Sequence, residues 1–101
     1  MKAVRGNLSP DSLYFFDEPE AALSPQRQLN ILAEIYDTAN AGSQFIIATH
    51  SPILLGLPGA DIWNFDNEKI HPCEYEETGS YVITEAFINN RAMMLSKLIN
   101  P

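Results

Sequence analysis

Apolar residues along this chain gather in two short unbroken runs, Leu13-Tyr14-Phe15-Phe16 and Phe45-Ile46-Ile47-Ala48. Neither shows the polar alternation of a half-exposed strand. Such runs predict strands buried on both faces, the kind found in parallel sheets covered by helices. Between them, Leu29, Leu32, Ala33 and Tyr36 recur at helical spacing, and Ile35 widens the stripe. This predicts an amphipathic helix over Pro25 to Ala41. Ser24 suits its N-cap, Pro25 its first turn and Gly42 its C-terminal stop. Strand, helix and strand in that order make a βαβ unit, whose crossover is right-handed.

Beyond the second run, Ser51-Pro52 repeats the cap-then-proline start signal, and Ile53-Leu54-Leu55 before Gly56 predicts a short helix. Asp61 to Phe65 and Lys69 to Tyr75 read as a hairpin around Asp66-Asn67-Glu68, with Pro72 keeping the second strand at an edge or irregular. From Thr84 onward, Phe87, Ile88, Met94, Leu95, Leu98 and Ile99 predict a helical tail, interrupted near Asn89-Asn90. No repeat, low-complexity stretch or linker points to a second domain.

The chemistry-bearing residues stand at the strand ends. Asp17-Glu18 follows directly on the first run and Thr49-His50 on the second. Parallel strands end on the same side of a sheet, and open α/β sheets bind ligands beyond those carboxyl ends. Adjacent carboxylates can divide labour there, one facing a metal ion and the other orienting or deprotonating a water. A histidine beside them can donate a hydrogen bond to a phosphoryl group in transfer.

Composition narrows the field. With 46% apolar and 19% charged residues among 101, the chain should build a packed core. Thirteen acidic against six basic residues give a net charge of -7, which repels nucleic-acid phosphates and anionic membrane surfaces. The basic residues are scattered, so no nucleic-acid groove and no membrane contact is expected of this segment. Cys73 is the single cysteine, which excludes an internal disulfide and a cysteine metal site and suits a reducing, cytoplasmic compartment. Residues 1–16 lack the marks of a signal peptide, and no apolar run approaches the roughly 20 residues of a membrane span, so a soluble, unexported segment is expected. His71 lacks acidic or histidine companions and reads as structural or exposed. Trp63 reads as hairpin packing, Met93-Met94 as core or interface filling, and Glu74, Glu76 and Glu77 as a solvated edge.

The stretch LYFFDEPEAALSPQRQ, followed by QFIIATHSP, resembles the Walker B, D-loop and H-loop succession of ABC-type ATPases in order and spacing. Within that superfamily the chain most resembles soluble predicted ATPases of the DNA-repair and chromosome-maintenance branch, where DEPE replaces DEPT or DEAT. The likeness is strong over residues 13 to 52 and looser beyond. It implies an α/β, P-loop NTPase-like (RecA-like) parallel sheet with flanking helices, here as a partial domain followed by the hairpin and helical tail. It also implies ATP and Mg²⁺ as ligands. On it, Asp17 would hold Mg²⁺ through water, Glu18 would be the general base, and His50 would be the switch histidine touching the γ-phosphate. Ala22-Leu23-Ser24 falls in the D-loop, which in the family crosses a head-to-tail dimer interface and brings Ser24 toward the partner's nucleotide. The wording departs from the family's usual SALD.

No G-x-x-x-x-G-K-[ST] occurs in the sequence, and no LSGGQ-type signature, unless Met1 to Asn7 is the remnant of the helix that follows it. Residues 1–101 are therefore expected to be the carboxyl-terminal lobe of an ATPase domain, truncated or separately expressed, inactive alone and completed by an amino-terminal half. A catalytically silent interaction or regulatory module on the same scaffold is the second reading. A metal-dependent phosphohydrolase or nuclease using Asp17, Glu18 and His50 as ligands is the third, and it needs further carboxylates at other strand ends.

Overall fold

The computed structural model describes residues 11–65 and 69–99, in two compact units, Met1–Ala60 and Asp61–Pro101. The signature-helix remnant expected at Met1 to Asn7 and the hairpin tip at Asp66-Asn67-Glu68 lie outside the described residues.

In the first unit, strands β1 (Leu13–Asp17) and β2 (Gln44–Ala48) pair in parallel, with Phe15 beside Ile46 and Asp17 beside Ala48. Helix α1 (Pro25–Asn40) connects them, so the βαβ unit forms as the pattern predicts. Ser24 caps the helix by accepting from the Arg27 N–H at 3.2 Å, with Pro25 in the first turn. Ala41 is the C-cap, and Gly42 follows at φ 112°, a conformation that glycine adopts without a Cβ clash; a Cβ there would also run into the Asp11 carboxylate.

The core consists of Phe16, Ile31, Ile35 and Leu54, packed against Tyr14, Leu23, Leu32, Phe45, Ile47 and Leu57. Tyr14 and Phe45 stack across the two strands with ring centroids 5.0 Å apart, and Phe16 tilts against Phe45 at 5.9 Å. Aromatic pairs of this kind add about 0.5–1.5 kcal/mol beyond the area they bury. The helix turns Ile31 and Ile35 to the sheet, whereas Leu29 and Tyr36 of the predicted stripe are exposed. Ile35 of the predicted stripe lies in the core and Leu32 packs against it, and Ile31 joins them, so the helix is rotated toward the branched isoleucines.

The expectation of strands buried on both faces is corrected. Tyr14, Phe16, Phe45 and Ile47 face α1, while Leu13, Phe15 and Ile46 on the opposite face are 67%, 53% and 56% exposed. Among the described residues of this unit one helical layer packs on one side of the two-stranded sheet, and alternation along a strand sends every second side chain to the other.

After β2 the predicted short helix is one 3₁₀ turn, Leu54–Gly56. The buried Ser51 starts it: its Oγ accepts from the N–H groups of Ile53 and Leu54, each at 3.1 Å. Among the described residues no helix is long and apolar enough to cross a membrane.

In the second unit, β3 (Ile62–Asn64) and β4 (His71–Cys73) form the expected antiparallel hairpin, with Trp63 opposite Pro72. With only two strands both are edges, which is where proline is tolerated. The second strand is shorter than predicted, because Glu74 to Glu77 turn into a capping box and a 3₁₀ turn. Helix α2 (Gly79–Asn89) starts five residues before the predicted Thr84, since Thr78 supplies an N-cap by accepting from the Tyr81 N–H at 3.2 Å. Asn90 breaks the helix as expected, and α3 (Arg91–Ile99) follows. Trp63 is exposed rather than packed in the hairpin, and Met93 is exposed while Met94 is half-buried. Tyr75 and Tyr81 meet edge-on; desolvation, with Tyr81 and Glu76 adding to it, raises the Tyr75 hydroxyl pKa above its usual value.

Candidate functional site

Parallel pairing brings the sequence-predicted residues to one end of the sheet. Asp17 is the last residue of β1 and lies beside Ala48, the last of β2, so Asp17-Glu18 and Thr49-His50 leave the sheet together. By alternation, Asp17 belongs to the same face as Leu13 and Phe15, the uncovered one.

Glu18 has φ 49°, a left-handed conformation uncommon for a residue with a side chain. Its N–H donates to the Ala48 carbonyl at 2.7 Å, which ties the departing chain to the neighbouring strand. Pro19 is buried beside it. Two tight turns follow, closed by Ala21 N–H to Glu18 C=O at 3.1 Å and Leu23 N–H to Glu20 C=O at 2.9 Å, with Ala22 at φ 65°. Left-handed conformations at non-glycine residues cost on the order of 1–3 kcal/mol each and persist where surrounding bonds over-determine them.

Those bonds come from a residue that sequence reasoning passed over. One carboxylate oxygen of the half-buried Glu20 accepts from Thr49 Oγ1 at 2.6 Å, and the other from the His50 N–H at 3.2 Å. Thr49 Oγ1 in turn accepts from the Ser51 N–H at 3.0 Å. Ser51 Oγ donates to Gln28 Oε1 at 2.5 Å, and Gln28 Nε2 donates to the Leu23 carbonyl at 3.2 Å. Together with the Leu23–Glu20 turn, these bonds close a ring joining the segment after β1, the first turn of α1 and the segment after β2. The one sequence signal was an acidic residue three positions beyond Asp17, and nothing in one dimension shows that it reaches a threonine 29 residues away.

Asp17, Glu18 and His50 are all exposed. Ser24 is exposed as well, and its hydroxyl is engaged in capping α1. Among the described residues no group of three or more His, Cys, Asp or Glu side chains could hold a metal ion. A single strand-end carboxylate does fit Mg²⁺, which commonly takes one or two carboxylates and completes its shell with water and substrate phosphate oxygens.

Paired carboxylates and a histidine thus lie beyond the parallel strand ends of a βαβ unit, the end at which open α/β sheets bind ligands. The chain belongs to the family described as AAA domain, putative AbiEii toxin, Type IV TA system, whose model matches residues 3–56. It is thus part of a P-loop NTPase-type, nucleotide-binding domain, and the matched segment holds Asp17, Glu18, Glu20, Ser24 and His50. No curated protein and no solved structure matches the chain.

Proposed function

We propose that residues 11–60 are the water-activating lobe of an ATP-hydrolysing domain of the ABC type, with Asp17 in the Walker B position, Glu18 as general base and His50 as the switch histidine. The observation that carries this reading is the β1–β2 register, which sends both carboxylates and the histidine out of the sheet at one end, inside the family segment. Glu18 accepts a proton from the water that attacks the γ-phosphorus, while the bond to the bridging oxygen breaks and ADP departs. The His50 imidazole donates to a γ-phosphate oxygen whose charge grows in that step. Mg²⁺, held by Asp17 through water and by the phosphates, would neutralise charge on the β- and γ-oxygens.

The remaining half of the domain, bearing the phosphate loop, would pack on the uncovered face of Leu13, Phe15 and Ile46, next to Asp17. A head-to-tail homodimer would then bring Ser24 to the partner's nucleotide. The family description names a toxin of a toxin–antitoxin system, which favours defence over repair or transport as the process driven. The second reading, a silent module on the same scaffold, predicts binding without turnover.

The test is Mg-ATP hydrolysis by the native assembly containing this chain. Glu18→Gln keeps size and shape but removes the proton acceptor, so turnover should fall by about 10²-fold or more with ATP affinity kept. Near wild-type turnover in Glu18→Gln would remove the general-base role. A wild-type assembly that binds ATP without turnover would favour the silent module.

A further inference from the structure

We propose that Glu20 is the positioning residue of this site, holding the Glu18 turn and the His50 backbone in one fixed geometry; the inference rests on the reading above. Glu20 touches neither nucleotide nor water in that reading. It acts through its two neighbours.

Three observations carry the assignment. Both carboxylate oxygens are committed, each to a different residue of the segment after β2, at 2.6 and 3.2 Å. Carboxylate acceptors make hydrogen bonds shorter and stronger than neutral ones, and the Thr49 bond has that length. Next, Thr49 Oγ1 also accepts from the Ser51 N–H, so its single proton is directed at Glu20 and cannot turn elsewhere without breaking the arrangement. Last, Glu20 sits between two left-handed non-glycine residues, Glu18 at 49° and Ala22 at 65°. A segment in that state relaxes unless it is tied down, and the Glu20 side chain is a second tie to the other strand end, beside the Glu18 N–H to Ala48 bond. The Glu18 N–H to Ala48 bond fixes the backbone where the turn leaves β1, and Glu20 fixes it two residues later. Glu18 is held between the two ties, with His50 on the same clamp.

The consequence is that a general base on one segment and a phosphate-touching histidine on another move as a unit. A neutral or shorter side chain at position 20 should separate them, while the core of Phe16, Ile31, Ile35 and Leu54, which Glu20 does not join, stays packed.

The experiment has two arms. In the first, the His50 amide of the full 101-residue chain is followed by NMR. Glu20→Ala and Thr49→Val should each speed its exchange with solvent by tenfold or more and move its resonance, with the Ile31 and Ile35 amides unchanged as the control for folding. Glu20→Gln should give an intermediate result, and Thr49→Ser, which keeps the hydroxyl, should restore the wild-type behaviour. In the second arm, hydrolysis by the native assembly should show Glu20→Ala lowering kcat at least tenfold with KM within twofold, and Glu20→Gln recovering part of the loss. An unmoved His50 amide overturns the proposal whatever the chain does with ATP. A moved amide with unchanged kcat also overturns it, because Glu20 would then be a structural tie only. If the His50 amide responds as expected but wild-type and Glu18→Gln assemblies hydrolyse ATP alike, the clamp stands and the general-base reading fails instead.

Discussion

Which face of α1 meets the sheet decides whether Gln28 can support the segment after β2, and a pair of alanine substitutions separates the buried side of the apolar stripe from its exposed side. Ile35 is 0% exposed at the centre of the core, while Leu29, on the stripe most obvious in the sequence, is 48% exposed. Truncating Ile35 to alanine removes three carbons. At about 0.8 kcal/mol for each buried carbon group, the transfer loss alone is roughly 2.4 kcal/mol. A cavity term comes on top, and isoleucine-to-alanine changes in cores cost about 2–5 kcal/mol in all. We expect about 3–4 kcal/mol for Ile35→Ala, and less than about 1 kcal/mol for Leu29→Ala, since a half-exposed site leaves little cavity. Small domains hold roughly 0.05–0.15 kcal/mol per residue, so the Ile35 loss is a large share of the stability of this unit. The assay is urea unfolding followed through the Phe16 and Ile31 amide resonances; the tryptophan, Trp63, belongs to the second unit and would report on the wrong one. With a denaturant slope near 1 kcal/mol per molar, the low end for small proteins, Ile35→Ala should lower the midpoint by up to about 4 M or leave the unit unfolded in buffer. Equal losses for the two variants, or a larger one for Leu29→Ala, would refute the packing of α1 described above.

Three further outcomes are expected. Asp17→Asn in the native assembly should weaken Mg²⁺-dependent ATP binding as well as turnover, unlike Glu18→Gln, because it removes charge near the ion; titrations across Mg²⁺ concentration read the difference, and identical behaviour of the two variants would merge their roles. The 101-residue chain alone should bind Mg-ATP weakly or not at all, since its sequence contains no phosphate loop, and saturable calorimetric binding in the low micromolar range would contradict that. The uncovered face of Leu13, Phe15 and Ile46 should make the chain self-associate, seen as scattering that grows with concentration and is reduced in a Phe15→Thr, Ile46→Thr double variant; a strictly monomeric chain would remove the argument for a missing covering layer.

Local signals were sufficient for much of this architecture. Ser24, Pro25 and Gly42 marked the ends of α1 because caps and stops depend on backbone groups a few residues apart. The two apolar runs read as parallel strands because short continuous hydrophobic stretches on either side of a helix are typical of a βαβ unit, and that is also why Asp17, Glu18 and His50 could be placed at the strand ends. Tertiary structure alone decided the rest. It buried Ile31 beside the expected Ile35 and left Leu29 and Tyr36 exposed, since the rotation of a helix about its own axis is settled only by packing. It left one sheet face bare, because an apolar run records what a strand is suited to meet and not whether these residues supply it. It also brought the Glu20 carboxylate to Thr49 and His50, a contact between residues far apart in sequence that forms only once β1 and β2 lie side by side and their ends are neighbours.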